Sequence, residues 1–359
     1  MHQQRIFYSR EMNSVATTPS NTKIFISINS CFKGWFMQGE KRFFLRSIAL
    51  LISLTLAACG GGGSDSQNEL SRNEQTSFHN ASAEAASQEP NAPQATGNTA
   101  TDGFNWFNFR REQIGLPPVA RNAVVDAVAQ GHSTYQKNTD TISHEQTAGQ
   151  SGYTGATLGD RLQEGGYRFT SPAYAYAEII SATGGTSGFA AAESLITAIY
   201  HRFVAFEPMF KEAGSGTATV PNGYTYFTTN FVANGLDGGI GLGNFVVYPT
   251  DKQQRVPAGF LSDQEIPDPA PAQNAVGYPI SVHADIAAEV AVQSFTVRPR
   301  GAESLPTRLL ISATDQDTPK SAAAIIPLTV LLKGTTYDVQ FVGTIDGVPA
   351  NRSWSFTTQ

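Results

Sequence analysis

Cysteine is nearly absent: the 359-residue chain contains two, Cys31 and Cys59. Two thiols close at most one bridge, so a disulfide-stapled scaffold is excluded. Charge is also sparse, at 15% of residues with a net of −6. No basic surface of the kind that tracks a phosphate backbone is available, and a nucleic-acid partner is not expected. Long apolar runs are missing too. The strongest, Ile48 to Leu56 (IALLISLTL), rises about 14 Å as a helix against a bilayer core of about 30 Å. A polytopic helical membrane protein is therefore not expected. What remains is a 40% hydrophobic chain, enough for ordinary cores and long enough for about two domains.

The charge is unevenly placed. Residues 1–58 hold seven Lys/Arg and two acids, a net of +5, which leaves −11 for the rest. Such a break marks a targeting segment ahead of a mature chain. Lys41, Arg42 and Arg46 precede the apolar run, and Leu56-Ala57-Ala58-Cys59 closes it with small residues before a cysteine. This ending resembles the bacterial lipobox. The resemblance implies that Cys59 becomes the lipidated first residue of the mature protein. Several acyl chains at about 0.8 kcal/mol per buried CH₂ anchor far better than one. The implied location is the cell envelope, facing the periplasm or exterior, with the membrane as partner through the lipid. Residues 37–58 read as the signal peptide. Residues 1–36 read as a start-site artefact ahead of Met37 or as a leader removed with the signal. Residues 59–101 are rich in Gly, Ser, Asn, Gln, Ala and Glu; such a stretch buries too little surface to offset its ordering entropy and reads as a disordered tether.

From residue 102 the pattern changes. Asp102 is an expected N-cap for a helix carrying Phe104, Trp106, Phe107 and Phe109. A second helix follows Pro117-Pro118, with apolar residues recurring at helical spacing as far as Asn138. Thr157–Gly165 and Ala190–Phe203 read as further helices. Tyr174–Ile180, Glu212–Thr219, Tyr224–Ala233 and Asn244–Tyr248 read as strands. Helices followed by largely antiparallel strands point to an α-β-α sandwich over 102–250. Gly235–Gly243 (GLDGGIGLG) lacks the strand-then-helix context of a phosphate cradle and reads as a wide turn.

Several segments within this region resemble the CAP superfamily of cysteine-rich secretory proteins, antigen 5 and pathogenesis-related 1 proteins. Asn108…Arg111…Gly115-Leu116-Pro117-Pro118-Val119 resembles its "N-x-x-R-x-x-x-G-L-P-P-L" opening. Ala129…His132-Ser133, Ser143-His144, Asp160-Arg161…Gly166-Tyr167 and Ala177-Glu178 follow in the family's order. His201-Arg202, Phe210-Lys211-Glu212-Ala213-Gly214-Ser215-Gly216 and Tyr226-Phe227-Thr228-Thr229 complete the series. The family brings two histidines and two acids to one cleft, a tetrad that can hold a divalent metal. Position by position, the resemblance implies His144 and Glu178 as the first histidine and first acid. The second acid has no match, since Ala198 stands at its place. Tyr226 occupies the second histidine position, and His201 is the histidine of the bacterial "H-R" pair.

The residue types support part of this. Imidazole and carboxylate are a common Zn²⁺ ligand set, and three protein ligands with one open position is the usual catalytic arrangement. A site of His144, Glu178 and His201, with Tyr226 nearby, is therefore the expected cleft, and Zn²⁺ its candidate metal. Separations of 34 and 23 residues make no local motif, so only the fold can assemble it. A second reading stays open, in which His144 and Glu178 form a buried hydrogen-bonded pair. His132 reads as structural, and His79 and His283 as incidental. No G-x-S-x-G occurs, and nucleophilic catalysis has little support.

Residues 251–275 (with IPDPAPAQ) read as a Pro-rich linker. Residues 276–359 turn to short alternating strands, ending in Ser353-Trp354-Ser355-Phe356-Thr357-Thr358, and resemble bacterial Ig-like β-sandwich domains with Trp354 and Phe356 facing the core. The overall expectation is an α+β chain, a CAP-type α-β-α sandwich followed by an all-β Ig-like sandwich. The expected function is a surface-anchored lipoprotein whose cleft binds a small apolar ligand, a lipid, a metal or an envelope component, the second domain serving as spacer or adhesion module. The alternative is a metal-dependent hydrolase using His144, Glu178 and His201; of the two, the non-enzyme is preferred.

Overall fold

A computed structural model describes residues 6–9 and 89–359, apart from residue 222. The expected start at Met37, the signal peptide, Cys59, most of the tether and His79 lie outside the described residues. Among the described residues no helix is long and apolar enough to cross a membrane.

Chain order begins with β1 (Ile6–Ser9) and resumes with α1 (Thr99–Gln113), β2 (Ala120–Arg121), α2 (Ala123–Thr139), α3 (Leu158–Glu164) and β3 (Tyr174–Thr183). Next come α4 (Gly188–Thr197), α5 (Ile199–Ala205), β4 (Glu212–Thr219) and β5 (Thr225–Asn234). Capping explains the helix starts. Asn98, not the expected Asp102, caps α1 by accepting from Thr101 N. Asn122 caps α2, and Thr157 with Asp160 forms a reciprocal capping box on α3. The helix expected over 190–203 is broken at Ala198, whose ψ of 118° is extended. The expected tether is also shorter than 59–101: Glu89 pairs with Arg110 of α1 at 3.0 Å.

The strands form a six-stranded sheet in the order β2-β4-β5-β3-β1-β9. β3 pairs antiparallel with β5 along its whole length, with Glu178 opposite Asn230 and Ala182 opposite Tyr226. Helix α1 covers one face, where Phe107 packs on Phe227 and Phe231. Helix α2 covers the other, where Ser133 and Gln136 donate to Thr228 Oγ1. The sequence permits this close seat through Gly214 and Gly216. A Cβ at Gly216 would lie 2.1 Å from the Gln130 backbone N, and one at Gly214 would lie 2.1 Å from that of Asp126.

The C-terminal part is all β. It comprises β6 (Val246–Tyr248), β7 (Gln253–Val256), β8 (Gly259–Leu261), β9 (Glu265–Ile266), β10 (Ala275–Gly277), β11 (Ile280–His283), β12 (Val290–Pro299), β13 (Thr307–Leu310), β14 (Ala322–Pro327), β15 (Thr336–Ile345) and β16 (Val348–Thr358). Two four-stranded sheets, β13-β14-β11-β6 and β12-β15-β16-β7, bury Trp354, Phe356, Phe341, Val297 and Ile325 in one apolar cluster.

Two boundaries differ from the sequence reading. Strand β6, expected at the end of the first domain, pairs with β11 of the second, Tyr248 opposite Ser281. The stretch 251–275, expected as a linker, supplies β7 to β16 and β9 to the first sheet. Its Pro content misleads because Val256, Phe260 and Glu265 alternate with it and are all buried. Between β5 and β6, Gly235–Gly243 is a wide turn, as expected, with positive φ at Gly235, Gly238, Gly239, Gly241 and Gly243. The Asp285 carboxylate accepts from Ile240 N and Gly241 N to hold it.

Candidate functional site: two histidine–carboxylate pairs beside strand β3

Glu178 lies at the middle of β3, 1% exposed, with both oxygens engaged. Its Oε1 accepts from His144 Nδ1 at 2.9 Å, and its Oε2 accepts from Arg161 Nη2 at 2.8 Å. Arg161, fully enclosed on α3, also donates Nη1 to the His144 carbonyl at 2.8 Å. One guanidinium thus fixes both the carboxylate and the loop that carries the imidazole. Burial alone would raise the Glu178 pKa; Arg161, His132 and His144 outweigh it and hold the carboxyl at about 2.

His132 projects from α2 into the same cluster, its Nε2 3.6 Å from Glu178 Oε1. Its hydrogen bonds identify its work. Nε2 donates to the Ser143 carbonyl at 2.7 Å, and Nδ1 accepts from Gln146 Nε2 at 2.9 Å. It fastens the loop bearing His144, and burial pushes its pKa down to about 4.

His144 is likewise held neutral, chiefly by burial and partly by the nearby His201 and Arg161. An ionised Glu178 accepts a hydrogen bond from Nδ1–H, so Nε2 carries the lone pair. The ring keeps 11% of its surface exposed, yet Nε2 is buried with no hydrogen-bond partner. Arg161 Nε and both amide atoms of Asn230, directly across from Glu178, are also unpartnered. Buried polar atoms are rarely left so, and several together mark a place built to receive another molecule or ordered water.

The other two expected residues do not join this hydrogen-bonded cluster. Tyr226 faces Ala182, four residues along β3 from Glu178, about 13 Å at strand rise. Its hydroxyl donates to Asp140 Oδ1 at 2.8 Å, and burial with that bond raises its pKa. His201, on α5, turns Nδ1 to Glu265 Oε1 at 3.0 Å. Glu265 also accepts from the backbone N–H of Ile199 and Tyr200 at 2.8 and 2.7 Å. A carboxylate from β9 thus caps a helix whose own Ala198 supplies no cap. The next residue, Arg202, stacks over Tyr248 and Tyr278 and donates to the Pro279 carbonyl at 2.7 Å. The "H-R" pair therefore joins the two parts of the chain. His283, read as incidental, belongs to that junction, against Phe203 and Phe206.

The expected metal set of His144, Glu178 and His201 does not fit. Among the described residues no group of three or more His, Cys, Asp or Glu converges to hold a metal ion. Glu178 already faces Arg161 and spends its other oxygen on His144 Nδ1, so a cation would have to displace a fixed positive charge. His201 gives its Nδ1 to Glu265 instead. Sequence reasoning missed Arg161, though it stands in the quoted "D-R" motif, and missed Glu265, which lies outside every motif.

Residues 104–231 match the model of the cysteine-rich secretory protein family (CAP) and form a CAP domain. Among solved structures, an extracellular protein containing an SCP domain from Bacillus anthracis strain Ames is 26% identical over 39% of this chain and 44% of that one, with a TM-score of 0.31. An outer surface protein from Borrelia burgdorferi is 14% identical over 36% of this chain and 88% of that one, TM-score 0.30. Venom allergen-like protein 4 from Schistosoma mansoni is 9% identical over 39% and 90%, TM-score 0.26. The chain thus spans less than half the length of the first of these. No curated protein matches it.

Proposed function

We propose that this chain is an envelope-anchored lipoprotein whose CAP domain binds, and does not turn over, a ligand that donates a hydrogen bond to His144. The observation that carries the reading is the buried, unpartnered Nε2 of His144, aimed by a carboxylate lock on Nδ1. A neutral imidazole so oriented is a hydrogen-bond acceptor, suited to a hydroxyl or amide N–H. The ligand is thus a small molecule, a lipid or an envelope component bearing such a group. Among the described residues no side chain lies within hydrogen-bond reach of that nitrogen, so a serine or cysteine nucleophile activated by His144 has no support. The C-terminal sheets serve as a spacer or adhesion module of the Ig-like type. Cys59 tethers the whole to the membrane, a reading that rests on the lipobox resemblance alone.

The test is ligand capture by the mature chain from cell-envelope extract, read by mass spectrometry, in wild type and His144→Phe. Phenylalanine keeps the ring but loses the lone pair. The captured species should fall at least tenfold in the variant; equal capture by both would sink the reading. Anchoring is tested by Cys59→Ala, which should move the protein out of the membrane fraction.

A further inference from the structure

Strand β1 pairs antiparallel with β3, Phe7 opposite Ile180 and Ser9 opposite Glu178. On its other side it pairs parallel with β9, Ile6 opposite Glu265 and Phe7 opposite Ile266. β3 and β9 are not bonded to each other; they sit two strand spacings apart, about 9.6 Å. The space between them has the width of one extended chain. Its walls are fixed from behind. Arg161 and His144 hold β3 through Glu178, and the first turn of α5 with His201 holds β9 through Glu265.

The occupant, residues 6–9, belongs to the segment ahead of the signal peptide, which a mature chain beginning at Cys59 would not contain. Its departure leaves backbone N–H and C=O groups bare on both walls. Bare edges cost free energy when buried and template strand addition when accessible.

We propose that the mature chain takes an extended segment of another polypeptide into the slot between β3 and β9. The segment runs antiparallel to β3 at Glu178–Ile180 and parallel to β9 at Glu265–Ile266. Main-chain hydrogen bonds on two sides supply the affinity, and β-branched and aromatic residues, as in Ile6-Phe7-Tyr8-Ser9, suit the extended form. Glu178 and Glu265 are already paired, so the slot offers no free carboxylate to select a basic segment. The inference names the ligand class for the site above and rests on that reading twice, for the removal of residues 6–9 ahead of Cys59 and for placing the ligand beside His144.

The experiment uses the mature chain, residues 59–359 with Cys59→Ala, and as probe a synthetic peptide of residues 3–12. Peptide binding should be saturable. It should slow amide exchange at residues 178–180 and 265–266 at least tenfold. The same peptide N-methylated at residues 6–9 should bind at least tenfold more weakly. Failure of protection at 178–180 overturns the proposal. So does protection there before peptide is added, which would mean that the tether, a second copy or direct β3–β9 pairing already fills the slot. His144→Phe separates the two readings. Protection retained in the variant keeps the slot even if His144 is dispensable, whereas loss of protection in wild type and variant alike removes the slot alone.

Discussion

Glu265 Oε1 accepts from His201 Nδ1 at 3.0 Å, and the same carboxylate takes the first backbone N–H groups of α5. The residue lies on β9, in the C-terminal part of the chain, and completes a helix of the CAP domain. Glu265→Ala strands several buried donors at once. Unsatisfied buried donors cost about 1–3 kcal/mol each, and removing one partner of a buried charged pair about 3–5 kcal/mol. Urea unfolding should show a loss in that range, with Glu265→Gln losing less because one carbonyl oxygen remains. Equal losses in both variants would show that the capping argument is wrong.

The contact between α2 and the sheet predicts a second outcome. A Cβ at Gly216 would meet the Gln130 backbone N at 2.1 Å and its Cα at 2.3 Å. Backbone cannot give way as a flexible side chain can, so the whole helix must lift, and His132 with it. Gly216→Ala should cost about 2–3 kcal/mol. The control is Gly184→Ala, where no atom lies within 4 Å and φ is not positive; it should stay within about 0.5 kcal/mol of wild type. Similar costs at the two positions would contradict the close-approach reading.

Gly216 and Glu265 also show what the sequence made legible. Gly214-Ser215-Gly216 could be recognised as part of a family pattern, and with it the CAP domain and the pairing of His144 with Glu178. Helix periods and caps placed most elements to within a few residues. Glu265 could not be read, because it sits 64 residues beyond its partner His201 in a stretch whose prolines suggest a linker. The family pattern aligns His201 with a site residue. Nothing local in a chain reports that the next residue, Arg202, must stack on Tyr248 and Tyr278 of another sheet. Arg161 carries no such signal in the sequence, because its value lies in neutralising Glu178, a relation only the fold creates.

Acid should weaken the protein from an unusually high pH. His132 has an ordinary pKa of 6.5 but about 4 when folded. Between these values the unfolded chain binds a proton that the folded chain does not, so stability falls as pH drops, by at most about 3 kcal/mol. Burial depresses His144 too and acts in the same direction. Glu178, ordinarily 4.5 and about 2 here, adds a second limb. Its stabilisation is present above 4.5 and is lost as pH falls toward 2. Urea midpoints at pH 7, 5.5 and 4 should decline stepwise, and His132→Asn should flatten the upper step. A constant midpoint from pH 7 to 4.5 would refute the assignment.

Arg161 and Glu178 form the charged centre of the site, and a double-mutant cycle tests whether they act as a unit. Arg161→Met removes the guanidinium, leaves the Glu178 carboxylate 1% exposed without its cation, and frees the His144 carbonyl that Arg161 holds at 2.8 Å. The expected loss is about 3–5 kcal/mol, since an uncompensated buried charge is the costly state. In the Arg161→Met/Glu178→Gln double variant that charge is gone, so its loss should be smaller than the sum of the single losses by about 1–3 kcal/mol. The His144 ring provides a second readout. With Glu178 amidated, Nδ1 loses its anionic acceptor and the tautomer lock weakens, so the ring nitrogen shifts in NMR should move toward a mixture of tautomers. Arg161→Met alone leaves the carboxylate on Nδ1 and should preserve the single tautomer. Additive stability losses together with an unchanged tautomer in both variants would mean that Glu178 does not aim His144, and the binding role argued for Nε2 would lose its basis.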